Sequence, residues 1–358
     1  MARIRLAANN KMKEKSKDNK ISRALKWVGY LTAILSLCAT LAGIAKVVYG
    51  RMETRRKTDA LLSAEAVQLE SHDYRSAWRT LEQAAQLMPD SRKVQAAQES
   101  LAMAWLEDVH LSEKQKFSDV TQKLEPVLTR AVAAAKPGAR RADLRAHIGW
   151  AYFLESRDGR FDLDPAGPYA EAVAEDHDNP YAQAMWGHWI LWQNCGKISE
   201  AAGHFTAALA SHRQGDYVRR LQLSALLNCQ DDEAALETIR VANAMRQEQR
   251  TIDAWSRAHI YSLYYGFDSG TPRVIHMVNA VPPTEHLATF HWLFDTQGSD
   301  ENSQNVSRSF YIGVLEEAAG HREEAIASYG VVVRRVTSHS DPLWQAADTA
   351  IKRLSRSH

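Results

Sequence analysis

The sequence is poor in the residues that build metal and redox centres. Only three of its 358 residues are cysteines, and Cys38 lies within an apolar run. The other two, Cys195 and Cys229, do not belong to Cys-x-x-Cys pairs. A zinc knuckle or a rubredoxin-like module, each of which needs such pairs, is therefore excluded.

Motifs for catalysis are also absent. The sequence has no His-Glu-x-x-His, no Gly-rich loop followed by Lys and Ser or Thr, and no Gly-x-Ser-x-Gly. Among the 14 histidines, His286 and His291 come nearest to a ligand pattern, together with Glu285. They fall in a proline-rich stretch, where solvated loop residues are the alternative interpretation. We predict no catalytic residue, no bound metal and no cofactor, so that an enzyme with an unrecognised site is the least favoured class.

Charge of either sign is not in excess overall, since the formal net charge is +1. This balance gives no reason to expect a nucleic-acid partner. The basic residues are concentrated before residue 27, where nine Lys and Arg face only Glu14 and Asp18. That polar composition predicts a disordered segment over residues 1–26.

One long apolar run follows this basic segment. The 19 residues from Trp27 to Ala45 carry no formal charge, and Trp27, Tyr30 and Tyr49 flank the run. At about 1.5 Å per residue, a helix over residues 27–49 spans roughly 30 Å, the thickness of a bilayer core. The run predicts a transmembrane helix, with a buried soluble helix or a cleaved signal peptide as the alternatives.

The flanking charges and small residues of this helix suggest its orientation and packing. Nine Lys and Arg precede it and five follow it up to Lys57, which favours a cytoplasmic N-terminus and an exported C-terminal domain. The bias nearly vanishes close to the helix ends, so a cytoplasmic C-terminal domain remains the alternative. Small residues recur every four positions at Thr32, Ser36 and Thr40, a spacing that allows a homodimer through this helix.

The rest of the chain repeats one pattern. The stretch Gly320-x3-Glu324-Ala325-x3-Tyr329 has the same internal spacing as Gly196-x3-Glu200-Ala201-x3-Phe205. Each predicts a helix on which a small and an aromatic residue share one face, preceded by another amphipathic helix. A pair of this kind cannot bury its apolar face alone, so several pairs must stack.

These residues resemble the tetratricopeptide repeat (TPR) family. The resemblance implies an all-α fold, a TPR-like α-solenoid of about six to seven helical pairs preceded by one transmembrane helix. We expect N-terminal repeats over 58–138, central repeats over 139–265, a degenerate or irregular repeat over 266–305, and a last repeat with a capping helix over 306–358.

The resemblance also implies a site. In this family the first helices of the pairs line a concave face that holds peptides or other proteins. Carrying these positions over gives partner-binding candidates at Trp150, Phe153, His188, Trp192, Ile260, Tyr264 and Phe310. Aromatic residues at helical spacing are also typical of a core, and this alternative stays open for each of them.

The expected function is a membrane-anchored scaffold or chaperone-like adaptor that binds protein or peptide partners. The alternative is a structural subunit of a stable membrane assembly with no exchanging ligand. The layout is similar to that of bacterial inner-membrane TPR proteins with one N-terminal anchor, which implies a periplasmic repeat domain. We expect Cys195 and Cys229 to be free thiols, because equivalent positions on neighbouring pairs should lie about 8 to 10 Å apart.

Overall fold

The computed structural model describes residues 2–109, 116–229, 231–264, 267–268, 271–294 and 306–356. The chain forms two compact units, Met1–Leu101 and Ala102–His358. Within the described ranges the structure has sixteen α-helices and one short antiparallel pairing of two-residue strands. The predicted all-helical fold class is therefore confirmed.

The first unit is dominated by one long helix, α1, which runs from Ala2 to Glu70 without a break. The sequence predicted disorder over residues 1–26, whereas in the structure residues 2–26 belong to this helix. Once the apolar segment is helical, each further residue adds a backbone hydrogen bond without a new nucleation step. Lys, Arg and Ala, which are frequent there, have high helix propensity.

Helix α1 contains the candidate membrane span. The segment Leu35–Glu70 is long and apolar enough, by length and composition, to cross a membrane, and none of its apolar window is buried in the protein. Leu41, Ile44 and Val47 are all more than half exposed. The hydroxyl of Thr40 donates to the backbone carbonyl of Ser36 at 2.9 Å, so this polar group is satisfied within the helix.

Helix α2 (Tyr74–Leu87) folds back against α1. The side chain of Asp73 accepts a hydrogen bond from the Ser76 amide and so caps the first turn. Ala77, Leu81 and Ala84, which share one face of α2, are fully buried. Helix α3 (Arg92–Glu107) follows after the proline at residue 89.

The second unit consists mainly of short helices. In chain order they are α4 (Ser118–Ala134), α5 (Ala139–Arg157), α6 (Ala166–Glu175), α7 (Pro180–Gln193), α8 (Ile198–Ala210), α9 (Gly215–Leu227), α10 (Asp232–Gln247), α11 (Ala254–Tyr264), β1 (Phe267–Asp268), β2 (Thr271–Pro272), α12 (Val274–Met277), α13 (Pro283–Phe294), α14 (Val306–Ala318), α15 (Arg322–Arg335) and α16 (Pro342–Arg356).

The helices of this unit stack as pairs. Helices α5, α7 and α9 each contact the following helix, and α14 contacts α15. The first helices also contact one another in succession, α5 with α7, α7 with α9, and α9 with α11. A continuous row of first helices is the arrangement of a TPR-like solenoid, so this part of the prediction is confirmed.

Glycines in the first helices explain how closely the pairs approach. A Cβ atom on Gly149 would lie 2.6 Å from the ring of Tyr169. Likewise, a Cβ atom on Gly187 would lie 3.1 Å from the ring of Phe205. Each ring therefore fills the space over a glycine of its partner helix, and a larger residue there would push the pair apart.

The stretch expected to be a degenerate repeat contains a hairpin and two helices. Strands β1 and β2 pair antiparallel, and α13 packs against α10 and α14. The amide of Asn243 donates to Glu285 at 2.7 Å, and the hydroxyl of Thr289 donates to Asn243 at 2.9 Å. These bonds tie α13 into the stack. Residues 266, 269–270 and 295–305 of this stretch lie outside the described residues.

The expectation of two free thiols in this unit is wrong. Cys195 and Cys229 form a disulfide, with their Cα atoms 5.7 Å apart. Both residues lie in turns that follow first helices, after α7 and after α9. The spacing of 8 to 10 Å is the distance between helix axes. Residues in the turns can lie closer together than the axes do, so the two Cα atoms come within the distance that a disulfide needs.

Candidate partner-binding groove

The second unit has a groove of about 390 Å³ between the first helices α5, α7 and α9 and the start of α11. We call it the aromatic groove. Its walls include Trp150, Phe153, Arg157, His188, Tyr217 and Trp255. Three of the seven site residues expected from the sequence, Trp150, Phe153 and His188, are thus brought together in one place.

These three residues form a packed wall. The indole N–H of Trp150 donates to the backbone carbonyl of Leu106 at 2.9 Å, which fixes the ring. The His188 ring stands edge-on to Trp150 and to Phe153, with ring centroids 5.1 Å apart in both cases. All three side chains are buried. They determine the shape of the groove, and their neighbours provide its exposed surface.

Two wall residues carry buried polar atoms without partners. Among the described residues, neither Nδ1 of His188 nor the hydroxyl of Tyr217 has a hydrogen-bond partner. Burial lowers the pKa of His188 to about 3, and the nearby positive charge of Arg157 acts in the same direction. The imidazole is therefore neutral at pH 7. An unsatisfied buried polar group is unfavourable and is often found where a ligand binds.

Trp192, the fourth predicted residue, lies next to the groove and remains 42% exposed. Its ring packs edge-on against Phe153, with centroids 5.5 Å apart. The guanidinium of Arg157 lies 5.3 Å from the Trp192 ring and 4.9 Å from the ring of Phe117. Burial lowers the pKa of Arg157, but arginine stays charged in proteins. A cation held between two aromatic rings thus borders the groove.

A second arginine borders the opposite wall. The guanidinium of Arg220 lies 5.7 Å from the ring of Tyr217. Among the described residues, neither Arg220 nor Arg157 forms an ion pair with a carboxylate. Two acidic residues of the groove are engaged elsewhere, because Glu107 contacts His147 at 3.0 Å and Asp253 accepts hydrogen bonds from Ser256. Arg157 and Arg220 thus place positive charge beside aromatic surface, in a lining that also includes the carboxylate of Asp108.

Several residues of this groove were missed from the sequence: Phe117, Arg157, Tyr217, Arg220 and Trp255. Trp255 is 48% exposed and packs against the His259 ring. A signal for α9 was present, since Asn194-Cys195 and Asn228-Cys229 repeat after 34 residues. That interval marks α9 as the next first helix after α7, and its residues should have been included.

The other three predicted residues lie elsewhere. Ile260 and Tyr264 are fully buried, and Phe310 is 1% exposed. Tyr264 packs edge-on against Phe290, with centroids 5.2 Å apart, and its hydroxyl is 2.9 Å from Nε2 of His286. Their burial supports the core interpretation that the sequence left open.

Phe310 borders a second cavity, of about 640 Å³, between α14, α15 and the last helix, α16. Val314, Tyr329 and Ala350 also line it. The hydroxyl of Tyr329 donates to Glu317 at 3.0 Å, and Glu317 pairs with Arg353 at 2.5 Å. The charged groups that we find at this cavity are thus paired with each other, which distinguishes it from the aromatic groove.

The metal hypothesis at Glu285, His286 and His291 does not fit the geometry. His286 lies on helix α13 and is fully buried, so the alternative of a solvated loop is wrong for it. Its Nε2 faces the Tyr264 hydroxyl, and its Nδ1 lies 3.2 Å from the carbonyl of Val278. Both ring nitrogens are therefore occupied. Burial also lowers the pKa of His286 to about 4.

Comparisons with known proteins add little to this geometry. No protein-family profile matches the chain, and no curated protein matches it. Among solved structures it is similar to a tetratricopeptide repeat protein from Parabacteroides merdae ATCC 43184, determined at 2.39 Å resolution. The identity is 12%, the TM-score is 0.38, and the match covers 84% of this chain and 100% of that one. A likeness at this level does not bear on function.

Proposed function

We propose that this chain is a membrane-anchored helical-repeat adaptor whose aromatic groove binds segments of partner proteins. The observation that carries the proposal is the groove itself. It combines the half-exposed surface of Trp255, with Trp192 next to it, and two buried polar atoms that have no hydrogen-bond partner among the described residues. Aromatic and arginine side chains are the residues that dominate binding energy at protein interfaces.

The shape of the groove suits an extended or helical peptide. Its walls come from successive first helices, so a bound segment contacts several repeats at once. Trp150 and His188 form a rigid wall, because their rings pack against each other and Trp150 is hydrogen-bonded to the backbone. A preformed wall reduces the entropy lost when a partner binds.

The anchor in the proposal is helix α1. Its apolar side chains between Leu35 and Met52 are exposed in the protein, and an exposed apolar surface of this length is stable only when lipid or another apolar surface covers it. The aromatic and basic residues that flank the run support an interfacial position for its ends.

For orientation, we propose a cytoplasmic N-terminus and a periplasmic second unit at the bacterial inner membrane. The excess of Lys and Arg before the span supports this direction. The disulfide between Cys195 and Cys229 supports it independently, because disulfides persist in oxidising compartments and are rare in the cytosol. Pairing of two copies through Thr32, Ser36 and Thr40 stays a prediction, which crosslinking of the anchor in vesicles would test.

The proposal is tested with the full chain in nanodiscs and a panel of synthetic peptides. Each peptide is acetylated and amidated, and a central Gln is flanked by Phe, by Leu or by Ser. We expect the Phe-flanked and Leu-flanked peptides to bind and the Ser-flanked peptides not to bind. Trp255→Ala should weaken binding about tenfold or more, the usual effect at an interface hot spot.

The matched control is Phe161→Ala, since Phe161 is 83% exposed and does not border the groove. This variant should bind as the wild type does. If no panel peptide binds, or if both variants bind like the wild type, the groove is not a peptide site. A fixed structural subunit would then be the better description of the chain.

A further inference from the structure

Arg157 and Arg220 differ from other arginines of the second unit. Arg141 pairs with Glu175 at 2.8 Å, Arg213 with Asp176 at 3.0 Å, and Arg250 with Asp216 at 2.7 Å. Within the described residues, Arg157 and Arg220 form no ion pair with a carboxylate and lie instead over the faces of aromatic rings, while the nearby negative charge of Asp158 also acts on Arg157. Both border the aromatic groove.

The acidic residues near these two arginines have other partners. The carboxylate of Asp158, which follows Arg157 in the chain, accepts the backbone N–H of Ser118 at 2.8 Å. Asp253 accepts bonds from the backbone and the hydroxyl of Ser256 and so caps α11. Both arginine side chains are exposed, so an anionic group of a bound segment can reach their guanidiniums from solvent and form charge-assisted hydrogen bonds with them.

Neutral hydrogen-bonding atoms also line the groove. The Tyr217 hydroxyl is buried and without a partner among the described residues, and the Arg220 guanidinium covers the same ring. His188 carries a second such atom, Nδ1, and is neutral at pH 7. Besides the carboxylates of Glu107, Asp108 and Asp253, the groove lining thus contains two cations, two neutral polar atoms without a hydrogen-bond partner among the described residues, and aromatic surface. These are components that can bind an apolar group next to an anion.

We propose that the aromatic groove recognises an acidic side chain, Asp or Glu, that lies next to an apolar side chain in the bound segment. The carboxylate pairs with Arg157 and Arg220, and the apolar neighbour packs between Trp255 and the wall formed by Trp150 and Phe153. This inference rests on the proposed function and names the chemistry of its ligand.

The test compares two forms of the panel peptide in which the central residue, flanked by Phe, is either Glu or Gln. Acetylated and amidated ends leave the Glu carboxylate as the one negative charge. With the full chain in nanodiscs, we expect the Glu peptide to bind about tenfold more tightly, the usual effect of one charge-assisted hydrogen bond. Added salt should reduce this difference.

Two variants assign the preference to residues. Arg220→Gln and Arg157→Gln should each remove most of the preference for Glu, measured as the ratio of the Kd values of the Gln and Glu peptides for the same variant. Arg220 is exposed, so its substitution leaves the core intact. The control is Arg213→Gln, which removes a cation that pairs with Asp176 outside the groove and should retain the preference.

The inference is overturned if the Glu and Gln peptides bind equally to the wild type. It is also overturned if the arginine variants lose affinity for both peptides by the same factor. In either case, binding of the Gln peptide that depends on Trp255 would still support the proposed function. If neither peptide binds, both proposals fail.

Discussion

A Cβ atom on Gly313 would lie 2.8 Å from the ring of Tyr329, closer than packed atoms allow. We therefore expect Gly313→Ala to destabilise the second unit by about 1–3 kcal/mol, because the ring or the helix must move. This loss outweighs the gain of up to about 1 kcal/mol that alanine normally brings in a helix. Denaturant unfolding of the full chain in detergent, followed by tryptophan fluorescence, measures the change.

The control for this prediction is Gly203→Ala. Gly203 lies in α8, and no atom stands within 4 Å of a Cβ placed there. Alanine should raise the free energy of unfolding by up to about 1 kcal/mol. Equal effects of the two substitutions would show that contact with Tyr329 does not limit the residue at position 313.

The stability of the second unit should fall as the pH is lowered below about 6.5. Burial lowers the pKa of His188 to about 3 and that of His286 to about 4. Between these values and the ordinary value of 6.5, the unfolded chain binds protons that the folded chain does not. In this range, each histidine lowers the free energy of unfolding by about 1.4 kcal/mol for each unit by which the pH falls.

Substitution isolates this contribution from that of the carboxylates. The free energy of unfolding of His286→Gln should depend less steeply on pH between about 6 and 4.5 than that of the wild type, because the substituted side chain does not titrate. An unchanged slope in His286→Gln would show that His286 titrates normally in the folded protein.

Reduction of the disulfide should lower the free energy of unfolding by about 2–4 kcal/mol, because Cys195 and Cys229 are 34 residues apart and the bond restricts the unfolded chain. The measurement uses a Cys38→Ser background, so that the pair supplies all cysteines. Replacing both by serine should reproduce the effect of the reductant. Maleimide labelling of native membranes should require prior reduction, and labelling without it would contradict the disulfide.

The repeat frame was predictable because its signals are local. A glycine in one helix and an aromatic in the next, as at Gly313 and Tyr329, can be recognised in the sequence without knowing the fold. The buried faces of α2, α8 and α15 follow from the same spacing. The burial of Tyr264 was not predictable in this way. It depends on α13, which covers this residue, and the proline-rich stretch that contains α13 suggested an irregular repeat.

The groove was predictable only in part, for a physical reason. Helical register identified Trp150, Phe153 and His188, but whether an arginine is paired depends on residues far apart in the chain. The Arg157 guanidinium lies over the ring of Phe117, the residue before α4, and over the ring of Trp192 on α7. The contact between the Cys195 and Cys229 turns is likewise set by how neighbouring pairs stack, which the helix spacing alone did not describe.

The most direct test of the central claim places a photoreactive phenylalanine analogue at position 255 in the full chain in native membranes. The account predicts that light crosslinks it to discrete partner segments in which acidic residues neighbour apolar ones. Excess Phe-Glu-Phe panel peptide should reduce this crosslinking. The same analogue at position 161, also exposed but outside the groove, should not give those products. Equal products from both positions, or no competition by the peptide, would contradict a partner site in the groove.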